Sequence, residues 1–188
     1  MLEKNRRLVL VALFAALMTI GAYLRIPVGP VPINLQFLFT ALACLLLGPY
    51  WGMLSQIVYV ILGLAGLPIF SSGGGPQYIF NPAFGYLLGY IVGGFVLGKI
   101  AQRNTSLSFW RFFGACLAGL FVVYLIGVPY MYFILHQIAH TPLDLWTTIL
   151  TGCIVFIPGD MIKIILVSLF SKRIIPILEK SHLLRREA

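Results

Sequence analysis

The stretch FFGACLAGLFVVYLIGVPYMYFIL, residues 112–135, decides the fold because it contains no charged side chain from end to end. A helix needs about 20 mostly apolar residues to cross the hydrocarbon core of a bilayer, and this stretch is long enough. The rest of the chain has the same character, since 60% of its residues are hydrophobic and 10% are charged. Soluble domains carry about 25% charged residues. The sequence therefore predicts an all-α integral membrane protein.

Apolar runs on both sides of this stretch predict six transmembrane helices in a single membrane domain, residues 1–188. The predicted spans are residues 8–24, 35–47, 50–67, 83–100, 112–135 and 145–170, followed by a basic tail at 171–188. The second and third spans are short for a full crossing, so a tilted or re-entrant geometry stays open for them.

Lysine and arginine residues fall almost entirely on one side of this arrangement. They precede the first span, surround the loop between the fourth and fifth spans, and follow the sixth: Lys4, Arg6, Arg7, Lys99, Arg103, Arg111, Lys172, Arg173, Lys180, Arg185 and Arg186. The positive-inside rule then places both termini in the cytoplasm. The net charge of +8 is explained by topology and by contact with anionic membrane lipid, so no nucleic-acid partner is predicted.

Two loops with unusual backbone requirements fall together on the outer side. Residues 25–33, RIPVGPVPI, contain three prolines, which exclude a regular helix. Residues 71–76, SSGGGP, form a glycine-rich loop that includes Gly73, Gly74 and Gly75. Shaped loops over a helical bundle predict a lidded pocket, and Gly73, Gly74 and Gly75 are candidate substrate-binding residues.

One pair of opposite charges lies inside a predicted span. Asp160 and Lys163 are three residues apart, which puts them on one face of a helix. Charges at this depth cost at least a few kcal/mol, so they face a cavity or a partner. Pro158 predicts a kink that frees a carbonyl near Ile154 for a ligand or water. The alternative is a salt bridge that only stabilises packing.

The chemistry of the pair favours a particular kind of ligand. A carboxylate accepts N–H bonds and an ammonium group meets an anion, so a small molecule with amide-like N–H groups and its own carboxylate fits both. Biotin is such a molecule, and aromatic surroundings suit its apolar ring and chain. Tyr86 is a further candidate for the pocket lining. Asn81 and Gln36 are also candidates, although each could instead cap a helix end or face solvent.

Two predicted spans carry small residues at a spacing of four. Gly85, Gly89 and Gly93 predict that span 4 packs closely against another helix. Ala12 and Ala16 form a similar groove on span 1. Spacing alone leaves open whether its partner is internal or a second protein.

The chain carries no recognisable catalytic, cofactor or metal motif. The sequence lacks H-E-x-x-H, Walker A and G-x-S-x-G. If transport uses ATP, another subunit must supply the hydrolysis. His136, His140 and Asp144 recur at a spacing that could hold a metal. Pro142 makes a continuous helix there doubtful, so no metal site is predicted.

Motifs spread over nearly the whole chain resemble those of the BioY family, the biotin-specific substrate-binding (S) components of energy-coupling factor (ECF) transporters. The matching stretches are ALFAAL at 12–17, RIPVGPVPI at 25–33, LLLGP at 45–49, GLAGLP at 63–68, GGG at 73–75, PAFGYLLG at 82–89 and PGDMIK at 158–163. The motifs occur in the order that the family has.

The resemblance implies a six-helix bundle of the ECF S-component type in the cell membrane, with external loops that close over biotin near the outer surface. It implies that Asp160, Lys163 and Asn81 belong to the biotin site. Because span 4 has no arginine, we expect the ligand carboxylate at Lys163 and at hydroxyl or backbone N–H groups.

The resemblance also implies protein partners. Ala12 and Ala16 would dock on the transmembrane coupling subunit, which works with two ATPase subunits. The S component would topple within the bilayer to release the vitamin inside, and some members would act without the complex. Two alternatives stay open: the same fold binding another vitamin, and a membrane-embedded enzyme or scaffold with a structural Asp–Lys pair.

Overall fold

The computed structural model describes residues 2–27, 29–103, 107–140 and 143–181, and only the backbone of residues 2 and 3. This part of the chain forms seven α-helices: α1 (Leu2–Tyr23), α2 (Gln36–Leu47), α3 (Pro49–Leu64), α4 (Phe84–Gln102), α5 (Phe109–Gln137), α6 (Leu145–Gly152) and α7 (Ile157–Lys180). A short antiparallel hairpin of β1 (Arg25–Ile26) and β2 (Ile33–Asn34) joins α1 to α2. The end of the predicted tail, residues 182–188, lies outside the described residues.

The predicted all-α architecture is confirmed, and several helices have the length and composition of membrane spans. Among the described residues, four helical stretches meet this requirement: Lys4–Tyr23, Phe84–Gln102, Phe109–Gln137 and Leu145–Lys180. α2 and α3 are apolar but have only 12 and 16 residues. Their lengths are roughly 18 and 24 Å, against a hydrocarbon core of roughly 30 Å.

The predicted sixth span is not one continuous helix. α6 ends at Gly152, a 3₁₀ turn follows at Ile154–Phe156, and α7 then continues to Lys180, beyond the predicted end at residue 170. The predicted kink at Pro158 is wrong, because this proline lies in the first turn of α7, where its missing N–H interrupts no helical bond. The predicted free carbonyl is wrong as well, since the carbonyl of Ile154 accepts the N–H of Ile157.

α4 and α5 pack so closely that glycine is required between them. A Cβ atom on Gly93 would lie 2.5 Å from the carbonyl oxygen of Gly119. A Cβ atom on Gly85 would lie 2.3 Å from Cβ of Tyr130. The small-residue face predicted for span 4 is thus confirmed, and its partner is α5.

The side chains on the outside of the bundle are largely apolar. On α5, Phe121, Leu125 and Phe133 are 67%, 62% and 57% exposed. Three large apolar side chains on one exposed helix face are unfavourable in water and favourable in lipid. The apolar outer surface agrees with the membrane span predicted from the uncharged residues 112–135.

The two ends of the bundle differ in chemistry. We call one the loop end: it holds the β1–β2 hairpin, the glycine-rich loop at 71–76 and the break between α6 and α7, and α2, α4 and α7 begin there. The opposite, basic end holds the α2–α3 turn and the end of α4. There the guanidinium group of Arg7 lies 5.6 Å from the ring centre of Trp51, and Arg111 donates a hydrogen bond to the carbonyl of Ile100.

Candidate functional site

A cavity lies at the loop end of the bundle, and both polar and apolar side chains line it, as they do in small-molecule sites. Its walls come from the hairpin, the loop before α4, the first turns of α2, α4 and α7, and the middle of α5. The lining residues are Val31, Pro32, Ile33, Asn34, Gln36, Ser71, Tyr78, Ala83, Tyr86, Leu87, Tyr90, Leu120, Val123, Tyr124, Phe156, Asp160 and Lys163.

Asp160 and Lys163 both line this cavity and form an ion pair. They are 5% and 6% exposed, and Nζ of Lys163 lies 2.5 Å from Oδ1 of Asp160. The hydroxyl of Tyr124 donates a hydrogen bond to the other carboxylate oxygen, Oδ2. Asp160 also lies in the first turn of α7, where the helix dipole favours a negative charge. The pair therefore faces a void inside the protein and not lipid.

Gln36 brings an unpartnered amide to the cavity. It is 2% exposed, and among the described residues its Nε2 atom has no hydrogen-bond partner. Its backbone N–H donates to Oδ1 of Asn34 over 3.1 Å, which fixes the start of α2. A buried N–H group without an acceptor is costly, and a contact of this amide with a ligand stays a prediction.

Tyr86 contributes an aromatic wall and also connects two helices. Its ring lies edge-on to Phe156, with 6.2 Å between ring centres. Its hydroxyl donates a hydrogen bond of 2.6 Å to the carbonyl of Gly152, at the end of α6. Tyr86 therefore stabilises the helix break that precedes Asp160.

Asn81 lies outside the cavity lining. Its Oδ1 atom accepts the backbone N–H of Ala83 over 2.9 Å, a local bond that helps to start α4. Asn81 is not the cap itself, because the N-cap residue of α4 is Ala83 and no side chain makes a cap hydrogen bond there. Its role in substrate binding stays a prediction.

The three glycines of the glycine-rich loop also lie outside the lining, and they determine the shape of the loop. Gly73 and Gly75 have φ angles of +111° and +101°, which other residues rarely adopt. A Cβ atom on Gly74 would lie 2.0 Å from the carbonyl oxygen of Leu67. Contact of these glycines with substrate stays a prediction.

The residues on either side of the glycines do reach the cavity. The hydroxyl groups of Ser71 and Tyr78 are 3.0 Å apart and form a hydrogen bond. Burial raises the pKa of the Tyr78 phenol above its usual value, although the Ser71 hydrogen bond and the charge of Arg25 act in the opposite direction. Tyr78 is therefore neutral at physiological pH and can donate or accept a hydrogen bond.

The two loops over the cavity are linked to each other. Nη1 of Arg25, in the hairpin, donates to Oγ of Ser72 over 3.1 Å. The hydroxyl of Tyr23, at the end of α1, donates to the carbonyl of Pro68. These contacts join the segment between α1 and α2 to the glycine-rich loop, as expected of a lidded pocket.

The small-residue groove predicted on the first helix is exposed. Ala12 and Ala16 are both solvent- or lipid-accessible on α1. Val9 and Ile20, on the same side of the helix, are 67% and 52% exposed. The groove is thus available to a second protein, and docking there stays a prediction.

His136, His140 and Asp144 do not share a helix. α5 ends at Gln137 and α6 begins at Leu145, so the regular spacing of the three residues does not bring them onto one face. Within the described ranges, no group of three His, Cys, Asp or Glu side chains is arranged to hold a metal ion.

Sequence reasoning missed several lining residues, above all Tyr124, Asn34, Ser71 and Tyr78. A tyrosine in the middle of an otherwise apolar span is a signal that could have identified Tyr124, because its hydroxyl needs a partner in the bilayer. Ser71 and Asn34 carry no such signal, since polar residues are ordinary in loops.

Comparison with known proteins identifies the family to which this sequence belongs. The sequence profile of the BioY family matches residues 2–180. The chain belongs to the BioY family. The resemblance seen in the motifs is therefore confirmed.

Individual members agree with this assignment over nearly their full length. The chain is 35% identical to the probable biotin transporter BioY of Lysinibacillus sphaericus, covering 97% of this chain and 93% of that protein. It is 36% identical to the biotin transporter BioY of Thermotoga maritima, covering 90% and 95%. These BioY relatives are named as transporters and not as enzymes, in agreement with the absence of catalytic motifs.

The fold matches a solved member of the transporter class. The crystal structure of the S-component for biotin from an ECF-type ABC transporter superposes with a TM-score of 0.80 and 30% sequence identity, covering 92% of each chain. The predicted S-component-like helical membrane fold is confirmed for this BioY-family chain.

Proposed function

We propose that this chain binds biotin in the loop-end cavity and is the substrate-specific component of an ECF-type transporter that takes up biotin across the cytoplasmic membrane. Membership of the BioY family supports the substrate. The structural observation that carries the proposal is the buried Asp160–Lys163 ion pair on the wall of the loop-end cavity.

The polar groups of the cavity complement the two polar ends of biotin. The Asp160 carboxylate retains lone pairs that can accept ureido N–H groups, and the ammonium group of Lys163 has donors beyond the one facing Asp160. The unpartnered Nε2 of Gln36 adds another donor. Apolar side chains such as Leu120 and Val123 suit the ring and the methylene chain.

The proposed orientation puts the loop end outside the cell and both termini in the cytoplasm, with six crossings of the membrane. The α2–α3 turn supports the count, because a Cβ atom on Gly48 would lie 2.6 Å from Nε2 of Gln102 at the end of α4. α2 and α3 therefore run between the two ends of the bundle despite their short lengths. Basic residues concentrate at the proposed cytoplasmic end.

The proposed partners are a transmembrane coupling subunit and two ATPase subunits. The exposed groove at Ala12 and Ala16 is the proposed docking surface for the coupling subunit. ATPase partners are needed for ATP-driven transport because the chain has no nucleotide-binding motif.

Ligand identification on the purified chain tests this proposal. Mass spectrometry of the released small molecules should detect biotin, and added biotin should bind in competition with desthiobiotin. Thiamine and riboflavin in large excess should not displace it. Equal competition by either vitamin would reject the specificity, and failure to bind any of these molecules would favour a scaffold with a structural ion pair.

A further inference from the structure

A second, larger cavity lies at the basic end, opposite the loop end that holds the first cavity. It has a volume of about 520 Å³ and lies between α1, the α2–α3 turn and the last turn of α4. Nothing in the proposed biotin function uses it.

The charged residues around this cavity are all basic. Arg7, Lys99 and Arg103 come from two different helices and line one space, and no Asp or Glu is among the described lining residues. Converging like charges repel each other and raise the local concentration of anions. The cavity is therefore electrostatically suited to an anionic group.

Aromatic rings hold two of these cations in place. Nζ of Lys99 lies 4.8 Å from the ring centre of Tyr50, and the guanidinium group of Arg7 lies 5.6 Å from that of Trp51. Such cation–π contacts restrict where the charges can move. Tyrosine and tryptophan also concentrate at the boundary between lipid and water, so the aromatic lining suits a cavity at the depth of lipid headgroups.

The remaining surroundings suit a molecule that is polar at one end and apolar at the other. Gln102 supplies an amide beside the α2–α3 turn, and Leu47 and Ile100 form apolar parts of the wall. Ile100 is 38% exposed on the outside of α4, so the apolar part of the wall continues onto the lipid-facing surface.

We propose that this cavity binds the phosphate headgroup of an anionic phospholipid, such as phosphatidylglycerol, in the leaflet at the basic end. Lys99, Arg7 and Arg103 contact the phosphate, and the acyl chains leave along the apolar wall. The lipid thereby connects α1 and the end of α4 through one anion. The inference depends on the membrane fold and on the charge of the basic end, and it is independent of biotin binding.

Native mass spectrometry of the full chain, titrated with short-chain phosphatidylglycerol or phosphatidylcholine, tests the proposal. The double variant Lys99→Gln/Arg103→Gln should bind phosphatidylglycerol roughly tenfold or more weakly than the unmodified chain. The matched control Lys172→Gln/Arg173→Gln removes the same charge at the same end and should change the affinity by no more than about twofold. Phosphatidylcholine should bind weakly to all three proteins.

Several results would overturn the proposal. Equal losses in the two double variants would indicate a general surface charge effect. Competition by inorganic phosphate at the concentration at which the lipid binds would indicate a soluble anion. Unchanged lipid binding, with loss of coupling-subunit capture in Lys99→Gln/Arg103→Gln alone, would assign the cavity to a protein partner. Biotin affinity is measured on the same samples. Unchanged biotin affinity shows that the variants are folded, and it separates failure of the lipid proposal from failure of the biotin proposal.

Discussion

The hydroxyl of Tyr124, on α5, donates a hydrogen bond to Oδ2 of Asp160, on α7. Because Oδ1 of the same carboxylate pairs with Lys163, both oxygens are held, and the carboxylate has a fixed orientation toward the cavity. Preorganised polar groups bind a ligand without a further ordering cost. The contact also joins two walls of the cavity.

Removal of this hydroxyl should weaken ligand binding. In Tyr124→Phe the carboxylate loses a charge-assisted hydrogen bond, a contribution of about 1.5–3 kcal/mol, so we expect biotin affinity to fall about tenfold or more. Isothermal titration calorimetry on the purified chain measures it. Tyr132→Phe, on the same helix but away from the cavity lining, is the control, and equal affinities in the two variants would contradict the role of Tyr124.

Gln36→Leu should separate ligand binding from stability. The substitution removes a buried N–H group that has no acceptor among the described residues, so thermal stability without biotin should stay the same or rise. Biotin affinity should fall because a donor to the ligand is lost.

Gln56 offers a matched control for that prediction. Its Nε2 atom is also buried and unpartnered in the described part of the chain, but Gln56 does not line the cavity. Gln56→Leu should leave biotin affinity within about twofold of the original. A similar loss of biotin affinity in both variants would show that the effect comes from removing a buried amide and not from losing a contact with the ligand.

A bulky residue in the α1 groove should block assembly without affecting the cavity. Ala12→Trp and Ala16→Trp each fill a surface that the fold leaves exposed, so biotin affinity should be unchanged while capture of the coupling subunit is lost. Leu125→Trp is the control, because Leu125 is 62% exposed on a different helix. Normal complex formation by both alanine variants would rule out this docking surface.

Two glycine substitutions test the packing of α4 against α5. Gly93→Ala places a Cβ atom 2.5 Å from the carbonyl oxygen of Gly119, and overpacking of this kind costs about 1–3 kcal/mol. Gly114→Ala meets nothing within 4 Å, so it should be neutral or stabilising through its helix propensity. Thermal unfolding in detergent compares them, and equal melting temperatures would contradict the close contact.

The parts of the fold that depend on local sequence could be predicted. Uncharged runs identify helices in lipid. Asp160 was recognisable because it is the single acidic residue inside a predicted span, and Lys163 because it follows Asp160 by three residues on the same helix face. The helix break was anticipated from Pro158 but assigned to the wrong place. A proline is compatible with the first turn of a helix, so the break lies before it.

The parts of the site that depend on distant contacts could not be predicted. Tyr124 and Asp160 are 36 residues apart in the chain, and no local pattern pairs them. The glycine-rich loop shows the same limit, because its sequence identifies Gly73–Gly75 while the side chains that reach the cavity are those of Ser71 and Tyr78. Only the turn geometry determines which of these residues face inward.

Equilibrium binding of biotin to the purified chain alone, without coupling or ATPase subunits, tests the central claim most directly. The unmodified chain should bind biotin, and Asp160→Asn and Lys163→Ala should each weaken binding by more than about 1.4 kcal/mol, a factor of ten. Lys172→Ala, which removes a charge far from the cavity, should have no effect. Unchanged affinity in a folded Asp160→Asn/Lys163→Ala double variant would contradict the account.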